Sequence, residues 1–277
     1  MWKMLGAGVA SVVLSGCFFI GGEDAGPTQT RERSVGNFSR VENRTSAVVV
    51  VNESEVHGLS VTIGANLQDD ITTHVENGTL IIDSRGFWGS LEDGSVRVSL
   101  PRFLGATQAG SGSIAVQEIK RTEDLELSTT GSGWLGYCGP ARTLSGVLTG
   151  SGQLNLCNRP GEVPDSVYLS VTGSGELTYA GTALRVDAFN DASGEMSLRG
   201  EANTFVGRVR GSGNVDARNF VAKDVELTNG GSGNLLAAVW DEGNVKVTIA
   251  GSGNVELWGN ATVLERTKTG SGQFIRH

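Results

Sequence analysis

Short runs of alternating apolar and polar residues cover most of the chain. Val245, Val247 and Ile249 flank Lys246 and Thr248, and Val167, Leu169 and Val171 flank Tyr168 and Ser170. A two-residue period predicts strands that turn one face to a core. Gly-Ser-Gly follows each such run, and a second run follows the triplet. With the first residue of the triplet as zero, position +4 holds Ile114, Leu135, Leu154, Leu177, Met196, Val215, Leu235, Val255 and Phe274, all apolar. Position +6 holds Val116, Tyr137, Leu156, Tyr179, Leu198, Ala217, Ala237 and Leu257. Between them, +5 is mostly small or polar, as at Ala115, Gly136, Asn155 and Thr178. Each unit reads as strand, corner, strand and second turn.

The triplets start at Gly110, Gly131, Gly150, Gly173, Gly211, Gly231, Gly251 and Gly270, and Ala192-Ser193-Gly194 is a degenerate copy. Successive starts lie 21, 19, 23, 19, 19, 20, 20 and 19 residues apart. A period near 20 means one small unit stacked many times. Such a unit cannot bury enough apolar surface to offset the entropy of ordering it, so neighbours must share burial and backbone hydrogen bonds. Stacking like strands in register gives an all-β solenoid, a parallel β-helix with rungs of about 20 residues and Gly-Ser-Gly corners. Parallel crossovers favour the right hand. A β-propeller blade needs about 40 residues, twice this period. The corner glycines imply either positive φ or close backbone approach.

The 277 residues include 41 Gly, 9 Phe and 5 Pro, and the formal charge is −8. Regular glycine fits a turn at every rung. No basic stripe appears, so nucleic acid is not expected as a partner. Leu5 to Leu14 is apolar but too short for a permanent membrane helix. It leads into Leu14-Ser15-Gly16-Cys17, which resembles the lipobox of bacterial lipoproteins. That implies a signal peptide over 1–16 and a lipid on Cys17, with the membrane as partner through that lipid. Phe18, not Asp, follows Cys17, which favours the outer membrane. Residues 17–33 read as lipidated Cys and flexible tether, and 34–277 as one β-helix domain, with N-terminal coils over 34–109 and the repeats over 110–277.

Before the first triplet, Val75-Glu76-Asn77-Gly78-Thr79-Leu80-Ile81-Ile82 and Val96-Arg97-Val98-Ser99-Leu100-Pro101 stand in order. That order, followed by serial Gly-Ser-Gly, resembles the head GIN domain family of auto-transporter-adhesin-like proteins over about residues 34–277. The resemblance implies a β-helical envelope protein and supplies no catalytic residues. No segment resembles a translocating membrane barrel.

Cys138 and Cys157 share position +7 in adjacent repeats. Stacked rungs would bring their Cα atoms about 4.8 Å apart, within disulfide range. His57, His74 and His277 share no ligand spacing, no calcium-binding nonapeptide occurs, and no metal or cofactor is expected. Asn214, Asn234 and Asn254 share +3 and predict a side-chain ladder. Among outward positions, Glu195, Arg199, Asp216 and Arg218 form the best charged cluster, with Arg199 and Arg218 expected to stack. Trp134, Trp240 and Trp258 offer faces for sugar stacking. Arg266 and Lys268 fall where other repeats are apolar, as expected of a polar end coil. The expected function is a non-enzymatic, lipid-anchored envelope protein that binds a glycan or an envelope protein, with Arg199, Arg218, Asp216 and Trp258 as surface candidates. The alternatives are a carbohydrate-active enzyme on the same scaffold and a signalling module that reads a partner protein.

Overall fold

The computed structural model describes residues 25–85, 94–120 and 123–277, so the signal peptide and Cys17 lie outside the described residues. The N-terminal strands are β1 (Thr28–Glu32), β2 (Arg40–Asn43), β3 (Val48–Glu53), β4 (Gly58–Gly64), β5 (Ile71–Glu76), β6 (Thr79–Ser84) and β7 (Ser95–Leu100). The coils that follow use β8 (Gly105–Gln108), β9 (Ser113–Gln117), β10 (Asp124–Thr129), β11 (Trp134–Cys138), β12 (Thr143–Leu148), β13 (Gln153–Cys157) and β14 (Ser166–Val171). Then come β15 (Glu176–Asn190), β16 (Glu195–Val209), β17 (Val215–Asn229), β18 (Leu235–Ile249), β19 (Val255–Trp258), β20 (Ala261–Lys268) and β21 (Phe274–Arg276). The four long strands run through the second turn, so each carries one coil directly into the next.

The rungs stack in parallel and in register, which makes the fold a parallel β-solenoid. Ile114, Leu135, Leu154, Leu177, Met196, Val215, Leu235, Val255 and Phe274 pair one after another from β9 to β21. They form one interior column, fully buried as far as Val255. The other inward positions build parallel columns, and this interior is the core.

The corner glycines act through close approach. None of the triplet glycines has positive φ. A Cβ on Gly131, Gly173 or Gly251 would lie 2.2, 2.0 or 2.0 Å from a carbonyl oxygen of the neighbouring coil. Backbone bonds such as Gly152 N–H to Gly131 O (3.1 Å) and Gly272 N–H to Gly251 O (3.1 Å) hold the corners together. The serines between them stay exposed.

Two of the triplet corners are stapled from inside by buried asparagines. Asn190 Nδ2 donates to the carbonyls of Gly194 (2.6 Å) and Asn214 (3.1 Å). Asn229 repeats this with Gly233 (2.8 Å) and Asn254 (3.1 Å), and its Oδ1 accepts from Gly231 N–H. Each staple joins its own corner to the next coil. Val209 and Ile249, at the same place in alternate coils, need no polar atom.

The N-terminal region departs from simple coiling. The β2–β3 rung sits between β6–β7 and β8–β9, out of chain order. β5 and β6 form an antiparallel hairpin closed by Asn77 and Gly78, both at positive φ. Asn-Gly with two such residues is the chemistry of a two-residue hairpin turn. β4 runs antiparallel along β7, and β1 antiparallel along β4. Antiparallel strands therefore cover this end of the stack. The expectation of coils throughout 34–109 is corrected accordingly, and so is that of a tether reaching residue 33. Thr28–Glu32 is a strand, fully exposed, that meets the backbone groups of β4 without burying a side chain. A strand held by its backbone and by polar side chains, such as Thr30 on Thr62, leaves no apolar pattern to read.

At the other end, Arg266 and Lys268 of β20 stand opposite Val247 and Ile249 of β18 and are exposed.

Candidate binding surfaces

Strands that follow the corners build one outer face. Along β9, β11, β13 and β15 it presents Ser113, Trp134, Gln153 and Glu176 in one column, with Ala115, Gly136, Asn155 and Thr178 beside them. Residues i and i+2 of a strand share a face, so Trp134 can fold back over Gly136. It does: a Cβ on Gly136 would stand 2.1 Å from Trp134 Cη2 and 2.3 Å from Cζ2. Only the missing side chain lets the six-membered ring lie there. Depressions of about 540 and 350 Å³ flank the indole. The first runs along the corner serines Ser46, Ser111, Ser132 and Ser151. The second runs over Ala115, Asn155 and Ala180 to a disulfide between Cys138 and Cys157, whose Cα atoms are 4.4 Å apart. Among the described residues, none that lines either depression is charged.

Beneath this face, Tyr137 donates to the Pro140 carbonyl (2.5 Å) and Tyr179 to Asn158 Oδ1 (2.8 Å). Burial pushes both phenols well above their ordinary range. Asn158 Nδ2 in turn donates to the carbonyls of Glu162 and Thr182, which fixes the loop after the second cysteine.

Further along the same face lie the charged candidates. Arg218 grips Asp216 with two bonds, Nε to Oδ1 (3.0 Å) and Nη2 to Oδ2 (2.7 Å). That bond, the largest influence, holds the Asp216 carboxyl below the usual carboxylate range against an opposing effect of burial. Trp258 is stacked on His277, with ring centroids 4.2 Å apart and planes 8° apart, and the Arg218 guanidinium stands 5.7 Å from the ring. His277 also meets Glu256 at 3.0 Å. Asp216, Arg218 and Trp258 are thus together, but the ring of Trp258 is already covered on one side. Arg199 does not stack on Arg218. A bulge in β17 shifts the register, and Arg199 pairs with Asn219. The asparagine ladder forms in a modified way: the side-chain oxygens of Asn214, Asn234 and Asn254 accept backbone N–H groups of Asn234, Asn254 and Gln273.

The face built by strands before the corners is charged and paired within itself. Arg40–Glu126, Arg142–Asp124, Arg185–Asp187 and Lys246–Glu226 are ion pairs at its surface. Phe189 there carries Tyr168 at 5.6 Å and the Arg208 guanidinium at 3.9 Å. Among the described residues no group of three His, Cys, Asp or Glu could hold a metal ion, and no helix is long and apolar enough to cross a membrane. Sequence reading singled out Trp134 but missed its setting. The signal was Gly136, the only glycine at position +5.

Stacked coils and closely approaching glycine corners define a repetitive parallel β-solenoid. The chain belongs to the family described as "Putative auto-transporter adhesin, head GIN domain", whose model matches residues 37–164 and 163–261. Among solved structures it resembles a "putative adhesin" from Parabacteroides merdae ATCC 43184, at TM-score 0.68 and 15% identity over 91% of this chain and 97% of that one. A "putative adhesin" from Parabacteroides distasonis ATCC 8503 aligns at TM-score 0.63 and 16% identity, over 91% and 98% of the two chains. A "putative lipid binding protein" from the same organism aligns at TM-score 0.60 and 19% identity, over 92% and 98%. At these identities the likeness establishes a shared fold. No curated protein matches the chain.

Proposed function

We propose that this chain is a non-enzymatic, lipid-anchored protein of the bacterial cell envelope that adheres through its outer solenoid faces. The observation that carries the reading is how the outer side chains are used. Many of their charges pair along the stack, and in the depression of about 290 Å³ where charges do gather, Glu226 is paired with Lys246 and Asp224 accepts from Asn244. Asp216, the carboxylate of the best charged cluster, is held low by Arg218. That is the reverse of what a general acid requires. Family membership and the Leu14-Ser15-Gly16-Cys17 motif support the envelope assignment and the anchor on Cys17, with the outer membrane favoured by Phe18.

Two measurements test it. Cys17→Ser should shift the protein from the membrane to the soluble fraction; membrane recovery unchanged by this substitution would reject the lipid anchor. Immobilised full chain should retain a specific component of envelope extracts. Failure to retain any, together with turnover of a polysaccharide substrate, would favour the carbohydrate-active enzyme.

A further inference from the structure

We infer that the face around Trp134 is a stacking platform for a neutral glycan strand lying along the solenoid axis. This deepens the adhesive reading and rests on it. Three independent observations meet at one place. The first is the indole laid over Gly136, in a space that any side chain at that position would close. A half-buried ring resting on the sheet is fixed in orientation before a ligand arrives, so little ordering cost falls on binding. The C–H face of a pyranose ring is apolar and packs on such a surface.

The second observation is the pair of depressions, one on each side of the ring. Each spans four successive coils. Coils stack about 4.8 Å apart. A linear chain parallel to the axis would therefore meet the same kind of group at every step. On one side the serine hydroxyls and Gln153 both donate and accept hydrogen bonds, as sugar hydroxyls do. On the other side Ala115, Ala180 and the disulfide offer apolar surface, with Asn155 and Thr178 between them.

The third observation is charge. Among the described residues no charged side chain lines either depression; the carboxylate of Glu176 comes one coil beyond Gln153 in the same column. Elsewhere the outer faces are studded with ion pairs. Uncharged depressions with many neutral hydrogen-bonding groups suit a polyhydroxylated ligand. They offer nothing to a uronate, a phosphate or an acidic peptide.

The test titrates the full chain with cellohexaose, chitohexaose and laminarihexaose, and with a hexagalacturonate of equal length, by calorimetry and tryptophan fluorescence. At least one neutral hexasaccharide should bind, with a change in emission, and the hexagalacturonate should not. Trp134→Ala should weaken binding at least tenfold. Gly136→Ala should weaken it by a similar factor, because its Cβ displaces the ring while leaving the indole chemistry intact. Circular dichroism and thiol titration confirm that both variants keep the fold and the disulfide. Neutral-sugar affinity unchanged in Trp134→Ala overturns the platform, as does wild-type protein that binds none of the neutral hexasaccharides. If Trp134→Ala still captures its envelope component, the platform falls and the adhesive reading survives; if wild type captures none, the adhesive reading itself falls.

Discussion

A Cβ atom on Gly150 would stand 2.0 Å from the carbonyl oxygen of Gly131 in the neighbouring coil. Every Gly-Ser-Gly corner repeats this approach, so the triplet records how closely coils stack and not an unusual backbone angle. Gly173→Ala should destabilise the protein by about 1–3 kcal/mol, the range for overpacking. Ala192 fills the equivalent place in the degenerate copy, which argues for the lower half of that range. Gly36 has no atom within 4 Å of its Cβ position and no positive φ, so Gly36→Ala serves as the control. Urea denaturation reads the difference. Equal midpoints for the two variants would reject the close-approach account.

The disulfide joins residues 19 apart in sequence. Closing a loop of that length in the unfolded chain stabilises the folded state by about 3 kcal/mol in the chain-entropy model. Cys138→Ser with Cys157→Ser should lower the denaturation midpoint while leaving the spectrum of the folded protein unchanged. A reductant should lower the midpoint of wild type by the same amount and leave the double variant where it is. A double variant as stable as wild type would show that rung-to-rung bonds alone position these strands.

Repetition made the solenoid legible. Leu154, Leu177 and Leu235 needed only equal spacing to be assigned to one column, and they share it. What repetition could not reveal was whatever happens once. The β5–β6 hairpin carries the Asn77-Gly78 signal, yet it sat inside a family motif that reads as one more strand. β1 is polar throughout because backbone bonds and polar side-chain contacts, not burial, do the pairing. The bulge that separates Arg199 from Arg218 arises from one extra residue in β17, and equal offsets hide it. Asn190 and Asn229 were visible as polar residues at an apolar position, but their role needs a partner carbonyl one coil away. Trp134 was found by residue type, whereas its depressions depend on Ala115 and Asn155 from neighbouring coils.

Tyr137 and Tyr179 predict alkaline sensitivity. Burial raises both phenols above the ordinary value of about 10. A raised folded-state value gives stability that is complete below the unfolded value and is lost as pH climbs toward the folded one. In that window the unfolded chain releases a proton that the folded chain retains. Each tyrosine contributes a slope of up to about 1.4 kcal/mol per pH unit. Urea midpoints should hold steady to about pH 9 and fall above about pH 10. Tyr179→Phe should remove part of that slope, while losing the bond to Asn158 at neutral pH. The same slope in the variant would reject Tyr179 as a source.

The polar end coil predicts how the solenoid avoids growing. Each interior column needs a next layer, and an apolar column left open at an edge strand invites another chain to supply it. In β20 the columns of Val247 and Ile249 end in Arg266 and Lys268, both exposed. Arg266 lies over Phe274 at 5.7 Å, so part of the remaining apolar surface is shaded by a charged group. A second solenoid docking there would have to strip water from both cations, a cost that unpaired buried charge does not recover. Replacing them with the residues of the preceding coil, Arg266→Val and Lys268→Ile, should extend both columns to the edge. The double variant should elute at rising apparent mass as its concentration increases, while wild type elutes unchanged. A double variant that stays monomeric throughout would mean that strand geometry at β20, and not the two charges, closes the stack.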